Sequence, residues 1–417
     1  MNLDKHSIEL ALGGNSFASI IVDMIREFHK QRLTIGLRDK PKGLMAKPED
    51  HSILSKYIDM ICGALLGILN AEQRVQKISS PAIVVGNIHG SLSDLMMIDR
   101  HYVHSWPLMA TNIIFLGNYS GVIPLGVECI LYLFSMKIAT PSKVFLFRGV
   151  NETSSENQYF LKPECMRKYG ETLGKKVYER LNKVFERLPV AGVIDETILC
   201  VSSGIPRKTR MNKFIKLPKD LNQPAKNAPD AHELMVNVPQ PLFERLMDTK
   251  SEAKEYIRSG NPLKLKNRSK MKPMIDSSRV KISGFTQVHG SCISNYMFDD
   301  KAFDSFMNDH NYKYMIRSNT VVPEEGFNLS FNDRCITVFQ CSNYLRYLRR
   351  YHEPRTTSKP ITADIGSSEP SNHCTVAFVD YFLNKIRLIQ LPARGRTLTL
   401  KSSDSSIHDS DSAEENL

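Results

Sequence analysis

The stretch VVGNIHGSLSDL, residues 84–95, has the residue types of a metal-binding loop with one change. An apolar run ends in a turn framed by Gly86 and Gly90, and the turn contains Asn87 and His89. A neutral imidazole is a common metal ligand, and a carboxylate at position 87 would supply the negative charge that a divalent ion needs. Asn87 offers only a weakly donating amide oxygen. The turn is therefore either an altered metal site or the remains of one.

The elements that must position this turn are predicted from short apolar runs between Pro81 and Pro206. Each run ends in a Gly-containing turn, and the runs read AIVVGN, NIIFLGN, VFLFRGVN and ILCVSSG. Segments with helical periodicity, 125–138 and 173–187, lie between them. Strands that alternate with helices predict an α/β fold, in which ligands gather at the loops beyond the C-terminal ends of the strands.

The order of these turns resembles that of a known family. Along the chain the motifs are GNIHG, GNYSGVI, RGVNE, VSSG, IRSN and CSNY. They are similar to GDxHG, GDYVDRG, RGNHE, HGG, RAH and APNY of the phosphoprotein phosphatase (PPP) family of metal-dependent serine/threonine phosphatases. The connecting segments SLSDL, LPVAGVIDETILCV and VVPEEGF resemble those of type-1 and related phosphatases. The resemblance covers about residues 50–205 and 280–393 and implies an α/β fold with a central β-sandwich of mixed sheets, flanked by helices.

In that family six side chains hold two divalent metals, such as manganese, iron or zinc, which position a hydroxide for attack on phosphorus. Carried over residue by residue, the resemblance places these six ligands at Asn87, His89, Asn118, Val150, Ser202 and Asn319. His89 alone keeps the family residue type. Without metal, clustered carboxylates would repel one another or lose hydration, so amides and apolar groups stabilise an empty site. We therefore expect no metal cofactor.

The rest of the family machinery is altered in the same way. The histidine that resembles a general acid is Asn151, and its orienting aspartate is Gly121. The phosphate-binding arginine is Val122, and a second family arginine aligns loosely with Cys292. Tyr344 keeps the tyrosine of the APNY-like loop. An amide cannot transfer a proton near neutral pH, so no catalytic group of the family is intact.

The resulting hypothesis is a catalytically inactive phosphatase-like protein, a pseudophosphatase, that acts through protein interactions. One alternative is a metal-dependent protein phosphatase with a site rebuilt around His89, for which the other candidate ligands are His101, His104, His289, His310 and His373. Another is a module whose basic insert binds phosphoproteins or RNA. Aromatic residues are not interleaved with the basic residues of the insert for base stacking, so nucleic acid is not the expected partner.

The expected partners are regulatory subunits of phosphatases or phosphoproteins. Type-1 phosphatases bind short motifs in an apolar groove, and its last strand aligns with Leu383, Lys385 and Arg387. Two of these three residues are charged, so docking in that groove is not expected.

Composition gives the domain organisation. The 417 residues carry a net charge of +11, and the eight cysteines form no CxxC pair. The predicted parts are an N-terminal helical extension (1–50), a phosphatase-like domain (51–400) and an acidic, Ser-rich, disordered tail (401–417). A basic, Pro-rich insert (207–280), expected as a solvated loop, and a polar insert (346–373) interrupt the domain. With no signal peptide or membrane span predicted, we expect a protein of the cytoplasm or nucleus.

Overall fold

The computed structural model describes residues 17–34, 43–103, 110–242, 281–287, 296–322, 325–342, 344, 373–380 and 385–391. The helices are α1 (Phe17–Thr34), α2 (His51–Ala71), α3 (Leu92–Ile98), α4 (Gly126–Ala139), α5 (Ser154–Asn157), α6 (Leu161–Phe185), α7 (Met211–Phe214), α8 (Pro224–Asn227), α9 (Pro229–Val236) and α10 (Asp300–Asp309). Single helical turns of other types are at Pro48–Asp50, Asp99–Val103 and Val150–Glu152.

The strands are β1 (Val75–Ile78), β2 (Ala82–Val85), β3 (Asn112–Phe115), β4 (Val144–Leu146), β5 (Ala191–Ile194), β6 (Ile198–Val201), β7 (Val238–Pro239), β8 (Lys281–Ile282), β9 (Phe285–Gln287), β10 (Tyr296–Phe298), β11 (Tyr314–Arg317), β12 (Phe327–Ser330), β13 (Cys335–Val338), β14 (Cys374–Asp380) and β15 (Lys385–Leu391).

Two mixed sheets form the centre of the molecule. One has the order β1-β5-β6-β11-β13-β12 and the other β15-β14-β2-β3-β4. A core cluster joins their facing sides, with Val84 and Ile114 from one sheet and Cys200 and Ile316 from the other. Helices α1 to α4 and α6 contribute to a core with the five-stranded sheet, and α7, α9 and α10 to a core with the six-stranded sheet. The predicted β-sandwich of mixed sheets flanked by helices is confirmed.

Strand direction decides where the polar turns meet. β2, β3 and β4 run parallel, with Val85 opposite Phe115 and Phe115 opposite Leu146. In the other sheet β6, β11 and β13 are also mutually parallel. The C-terminal ends of parallel strands lie at one edge, so the turns that follow β2, β3 and β4 are neighbours.

The described N-terminal residues contain two long helices, α1 and α2. α1 buries Ile21, Val22 and Ile25 in the same core as α4. Its Arg26 donates hydrogen bonds from Nε and Nη2 to the Asp99 carboxylate at 3.0 and 2.6 Å. By length and composition, Pro48–Ala71 is the one helical stretch in the described ranges that could cross a membrane. Here its α2 part packs against α4 and α6.

The expectation of a solvated basic loop from residue 207 is wrong for its described part, residues 207–242. This segment forms α7, α8, α9 and β7, and it buries Met211, Phe214, Leu234 and Met235. Charged side chains occur throughout the segment, but these apolar side chains face the core. Residues 243–280, most of the polar insert and the acidic tail lie outside the described residues.

Candidate functional site

Backbone hydrogen bonds join the turns after β2 and β3. The N–H of His89 donates to the carbonyl of Asn118 at 2.8 Å, and the N–H of Gly90 donates to the carbonyl of Tyr119 at 2.8 Å. Across the sandwich, Asn118 Nδ2 donates to Asn319 Oδ1 at 2.8 Å, although 201 residues separate the two amides. The structure thus brings together turns from both sheets at the edge where the sequence predicted the site.

Three of the six candidate ligand positions have left-handed backbone. The φ angles are 51° at His89, 54° at Asn118 and 62° at Asn319. Asparagine and histidine tolerate this conformation better than most residues other than glycine, and β-branched residues rarely adopt it. An asparagine at positions 118 and 319 therefore preserves the turns while removing the charged or imidazole ligand of the family.

His89 lies at the centre of the site and is 3% exposed. Its Nε2 is 3.1 Å from Asn87 Nδ2, and its Nδ1 is 3.2 Å from Asn151 Nδ2. The Tyr344 ring stacks on the imidazole at a centroid distance of 4.4 Å, and Phe339 lies at 5.7 Å. Burial lowers the pKa of His89 to about 3, so the ring is neutral at pH 7.

The hydrogen bonds of Asn151 determine the His89 tautomer. Asn151 Nδ2 also donates to the carbonyl of Ser120 at 2.7 Å, which fixes the orientation of that amide. Nδ1 of His89 is therefore the accepting nitrogen, and Nε2 carries the proton. A 180° rotation of the Asn87 side-chain amide would present its oxygen to Nε2–H and would give a partner to Oδ1, which is buried without one.

The remaining amides satisfy one another. Asn118 Oδ1 accepts the N–H of Asn151 at 2.9 Å. Asn319 Nδ2 donates to Ser203 Oγ at 3.1 Å and to the carbonyl of Met235 at 2.9 Å. These bonds occupy the oxygen atoms that would otherwise face a metal. We call the set Asn87, His89, Asn118, Asn151 and Asn319 the amide network.

Val150 and Ser202 complete the six family-equivalent positions without joining the amide network. Val150 is 7% exposed and belongs to the core of the six-stranded sheet, and it has no donor atom for a metal. Ser202 is fully buried, and its Oγ has no hydrogen-bond partner.

Apolar side chains fill the part of the site where the resemblance places a phosphate-binding arginine. Val122 packs in a buried cluster whose other members are Ile123, Val321, Phe339, Cys341 and Tyr344. Gly121 is equally constrained, because a Cβ there would lie 2.8 Å from His89 Nδ1. The aspartate of the family therefore has no room at position 121.

Sequence reasoning missed two buried carboxylates that hold the turns. Glu152 accepts backbone N–H groups of Asn118, Tyr119 and Gly149 at 2.7, 2.9 and 2.9 Å. Burial raises its pKa to about 7, and these three donors oppose the rise. The sequence could have identified this carboxylate, because Glu152 is the last residue of the RGVNE motif.

The second missed carboxylate is Asp94, which joins the turn after β2 to the loop after β13. Its Oδ2 accepts the Ser91 hydroxyl at 2.6 Å and the Ser342 N–H at 3.0 Å. The Ser342 hydroxyl donates to Oδ1 at 2.8 Å. Burial raises the pKa of this carboxyl, and the SLSDL segment was its signal in the sequence.

Two of the other candidate histidines, His101 and His310, lie apart from His89. His101 lines a separate cavity of about 340 Å³ with Ile83 and Phe378, and His310 accepts the N–H of Met211 at 3.1 Å. The candidates that lie outside the described residues are His104, His289, Cys292 and Leu383. Within the described ranges, no three His, Cys, Asp or Glu side chains are grouped so that they could hold a metal ion.

The residues present do not fit a pair of divalent metals. Two such ions carry four positive charges, which need several anionic oxygen or imidazole ligands. The amide network provides one imidazole, whose two ring nitrogens both face amides, and no carboxylate.

Comparison with known proteins gives a family match over residues 80–323, to the model described as calcineurin-like phosphoesterase. The chain is 34% identical over 158 residues to a serine/threonine-protein phosphatase of Schizosaccharomyces pombe, which is 38% of this chain and 50% of that protein. It is 30% identical over 237 residues to a protein phosphatase 2A catalytic subunit of Dictyostelium discoideum, covering 56% of this chain and 70% of the other.

A third relative and a solved structure extend the comparison. The chain is 24% identical over 285 residues to the serine/threonine-protein phosphatase 6 catalytic subunit of Caenorhabditis elegans, covering 68% of this chain and 71% of the other. A solved structure of a Saccharomyces cerevisiae protein serine/threonine phosphatase superposes with a TM-score of 0.58 at 17% identity, over 82% of this chain and 91% of that chain. At that identity the likeness concerns the fold alone.

Proposed function

The chain belongs to the calcineurin-like phosphoesterase family and is related to the PPP serine/threonine phosphatases, and we propose that it is a pseudophosphatase, a catalytically inactive member that acts through protein interactions. The observation that carries the proposal is the amide network. Hydrogen bonds link Asn87, His89, Asn118, Asn151 and Asn319, five positions at which the resemblance places metal ligands and the general acid.

Each part of the hydrolytic reaction lacks a group to perform it. Asn151 has no acidic proton for the leaving alkoxide, and Val122 has no charge for the phosphate. His89 is neutral and buried, and its ring lies close to the aromatic side chains of Phe339 and Tyr344. Losses of single active-site groups typically cost several orders of magnitude in rate, and groups that act together cannot compensate for one another.

The direct test is metal content and hydrolysis, measured on the purified full-length chain. We expect less than one bound equivalent of manganese, iron or zinc after incubation with each metal and removal of the excess. We also expect no hydrolysis of p-nitrophenyl phosphate or of a phosphoserine peptide above a metal-stripped control. Two bound equivalents together with hydrolysis would overturn the proposal.

A phosphatase rebuilt around His89 is the alternative enzyme. It requires that His89→Ala abolishes any activity that the purified chain displays. The conservative control is Tyr344→Phe, which keeps the ring that stacks on the imidazole. Equal residual activity in the wild type and in His89→Ala would identify a contaminating phosphatase.

The partners we propose are intracellular proteins, either regulatory subunits of active phosphatases or phosphoproteins. Lys385 and Arg387 are exposed on β15, and their charge argues against an apolar motif docking along that strand. Affinity purification followed by mass spectrometry is the experiment that identifies the partner class.

A further inference from the structure

One exposed surface of the fold is strongly basic. Residues 207–219, RKTRMNKFIKLPK, contain six Lys or Arg and no Asp or Glu. Arg207 pairs with Glu233 at 2.7 Å, and Arg210 lies 3.9 Å from Asp309. Three other basic residues, which we call the lysine surface, are exposed and form no ion pair with a described carboxylate: Lys208, Lys213 and Lys216.

The lysine surface has a fixed backbone. Met211 and Phe214 anchor α7 in the core, and each is at most 3% exposed. The Met211 N–H donates to His310 Nε2 at 3.1 Å, and farther along the chain the Leu221 N–H donates to the Glu186 carbonyl at 3.2 Å. The backbone that carries the three lysines is therefore attached to the core, while their side chains are exposed to solvent.

The same chain contains a segment of complementary charge. Residues 402–415, SSDSSIHDSDSAEE, contain five Asp or Glu, six Ser and no Lys or Arg. Each phosphorylated serine adds about −1.5 to −2 charges at pH 7 and three strong acceptor oxygens. We call this segment the acidic segment.

Strand directions place the end of β15 and the start of the basic segment at one edge of the fold. β14 is antiparallel to both β2 and β15, so β15 ends at the same edge as β2, next to the site. The basic segment starts at the same edge, because it follows the turn after β6 that contains Ser202. Ten residues, 392–401, link β15 to the acidic segment. They span up to about 35 Å when extended.

From this charge and topology we propose that the acidic segment docks on the lysine surface of its own chain, beside the amide network, and that serine phosphorylation strengthens the contact. A short covalent link gives an effective concentration on the order of millimolar, so a weak electrostatic contact is populated without a second molecule. The inference does not depend on the absence of phosphatase activity.

Zero-length carbodiimide cross-linking of the full-length chain, with mass spectrometry, tests where the acidic segment lies. At about 0.1 M salt we expect about tenfold more cross-links from the acidic segment to the lysine surface than to the exposed lysines Lys56, Lys162 and Lys175. At about 1 M salt, where the Debye length is about 3 Å, we expect the excess to disappear. Equal yields at both sets of lysines would overturn the proposal, as would cross-links found only in dimers.

Charge reversal provides the matched comparison, read by NMR of the acidic-segment amides in the full-length chain. We expect Lys208→Glu, Lys213→Glu and Lys216→Glu together to move these resonances to their high-salt positions. The control triple variant Lys56→Glu, Lys162→Glu and Lys175→Glu changes net charge equally and should leave them unchanged. Circular dichroism verifies that both variants fold. The same shifts in both triple variants would contradict docking at the lysine surface.

Discussion

His89 has kept its residue type while its surroundings have changed. Amides of Asn87 and Asn151 face its two nitrogens, and the Tyr344 ring stacks on it. A buried imidazole without a carboxylate partner is stable only when neutral, because charge in an apolar environment is costly. We therefore propose a structural role for His89 in the amide network, and its protonation should destabilise the fold.

The first prediction concerns the dependence of stability on pH. The folded-state pKa of His89, about 3, is below its unfolded value of 6.5, so the unfolded chain binds more protons between these pH values. The contribution of His89 to the free energy of unfolding therefore decreases as the pH falls below 6.5, by up to about 1.4 kcal/mol per pH unit. Glu152, with its pKa raised to about 7, acts in the opposite direction between pH 4.5 and 7.

His89→Gln separates the two effects, because it keeps hydrogen-bonding capacity without titrating and leaves Glu152 in place. Urea denaturation at pH 7 and pH 5 gives the free energy of unfolding of both proteins. We expect the value for the variant minus that for wild type to be about 2 kcal/mol larger at pH 5 than at pH 7. A stability difference between the two proteins that is the same at both pH values would contradict a buried neutral His89.

The second prediction concerns the space at Gly121. Gly121→Ala places a methyl group 2.8 Å from His89 Nδ1 and should destabilise the protein by about 1–3 kcal/mol, as overpacked sites do. Gly63→Ala is the matched control. A Cβ at Gly63, in the middle of α2, meets no atom within 4 Å, so alanine should stabilise by about 0.5–1 kcal/mol through helix propensity. Urea midpoints measure both, and a neutral Gly121→Ala would mean that the imidazole can move aside.

At the scale of elements, α7 illustrates how a basic segment joins a core. Its four residues, Met211–Phe214, place two apolar side chains inward and leave Lys213 exposed. Phe214 is 2% exposed and the adjacent Ile215 is 47% exposed. The segment therefore contributes to folding stability through single apolar residues that alternate with charged ones.

Neighbouring substitutions test this role. Phe214→Ala should cost about 3–5 kcal/mol of unfolding free energy, the range for large buried aromatic residues. Ile215→Ala should change stability by less than about 0.5 kcal/mol, because its side chain is already half in solvent. Urea denaturation of both variants is the measurement. If both substitutions changed the unfolding free energy by similarly small amounts, residues 207–219 would be a solvated loop after all.

The whole molecule is a β-sandwich whose site edge is closed by side chains from both sheets. Asn118 from one sheet and Asn319 from the other, both at positions where the resemblance places a metal ligand, bond directly at 2.8 Å. A protein stabilised by bound metal gains RT ln(1 + [L]/Kd), about 2.7 kcal/mol at a hundredfold excess over Kd. In this chain the hydrogen bonds of the amide network, and not a bound metal, would connect the turns at the site edge.

Thermal unfolding with and without a chelator tests whether bound metal contributes to the stability of the full-length chain. We expect the midpoint of the full-length chain to stay the same, within about 1 °C, in the presence of excess EDTA or of added manganese. Asn118→Ala and Asn319→Ala should each lower the midpoint, because either change removes the hydrogen bond that joins the two sheets at this edge. A fall in the midpoint on adding EDTA to the wild type would contradict metal-independent folding.

The sequence by itself determined the family, the α/β class and the positions of the site turns. Regular apolar runs that end in Gly-containing turns are local features, and the order of six motifs is readable without coordinates. The sequence also located two neutral residues, Val122 and Val150, whose side chains have no group to bind phosphate or metal.

Only the tertiary structure decided how the altered site is satisfied and what belongs to the core. The bond between Asn118 and Asn319 joins residues 201 positions apart, and no local pattern encodes that pairing. Residues 207–221 have a composition typical of solvated loops, yet a few inward-facing side chains, Met211, Phe214 and Leu221, hold them in the fold. Burial depends on which face of a segment meets the sheet, and that follows from packing between distant parts of the chain rather than from composition.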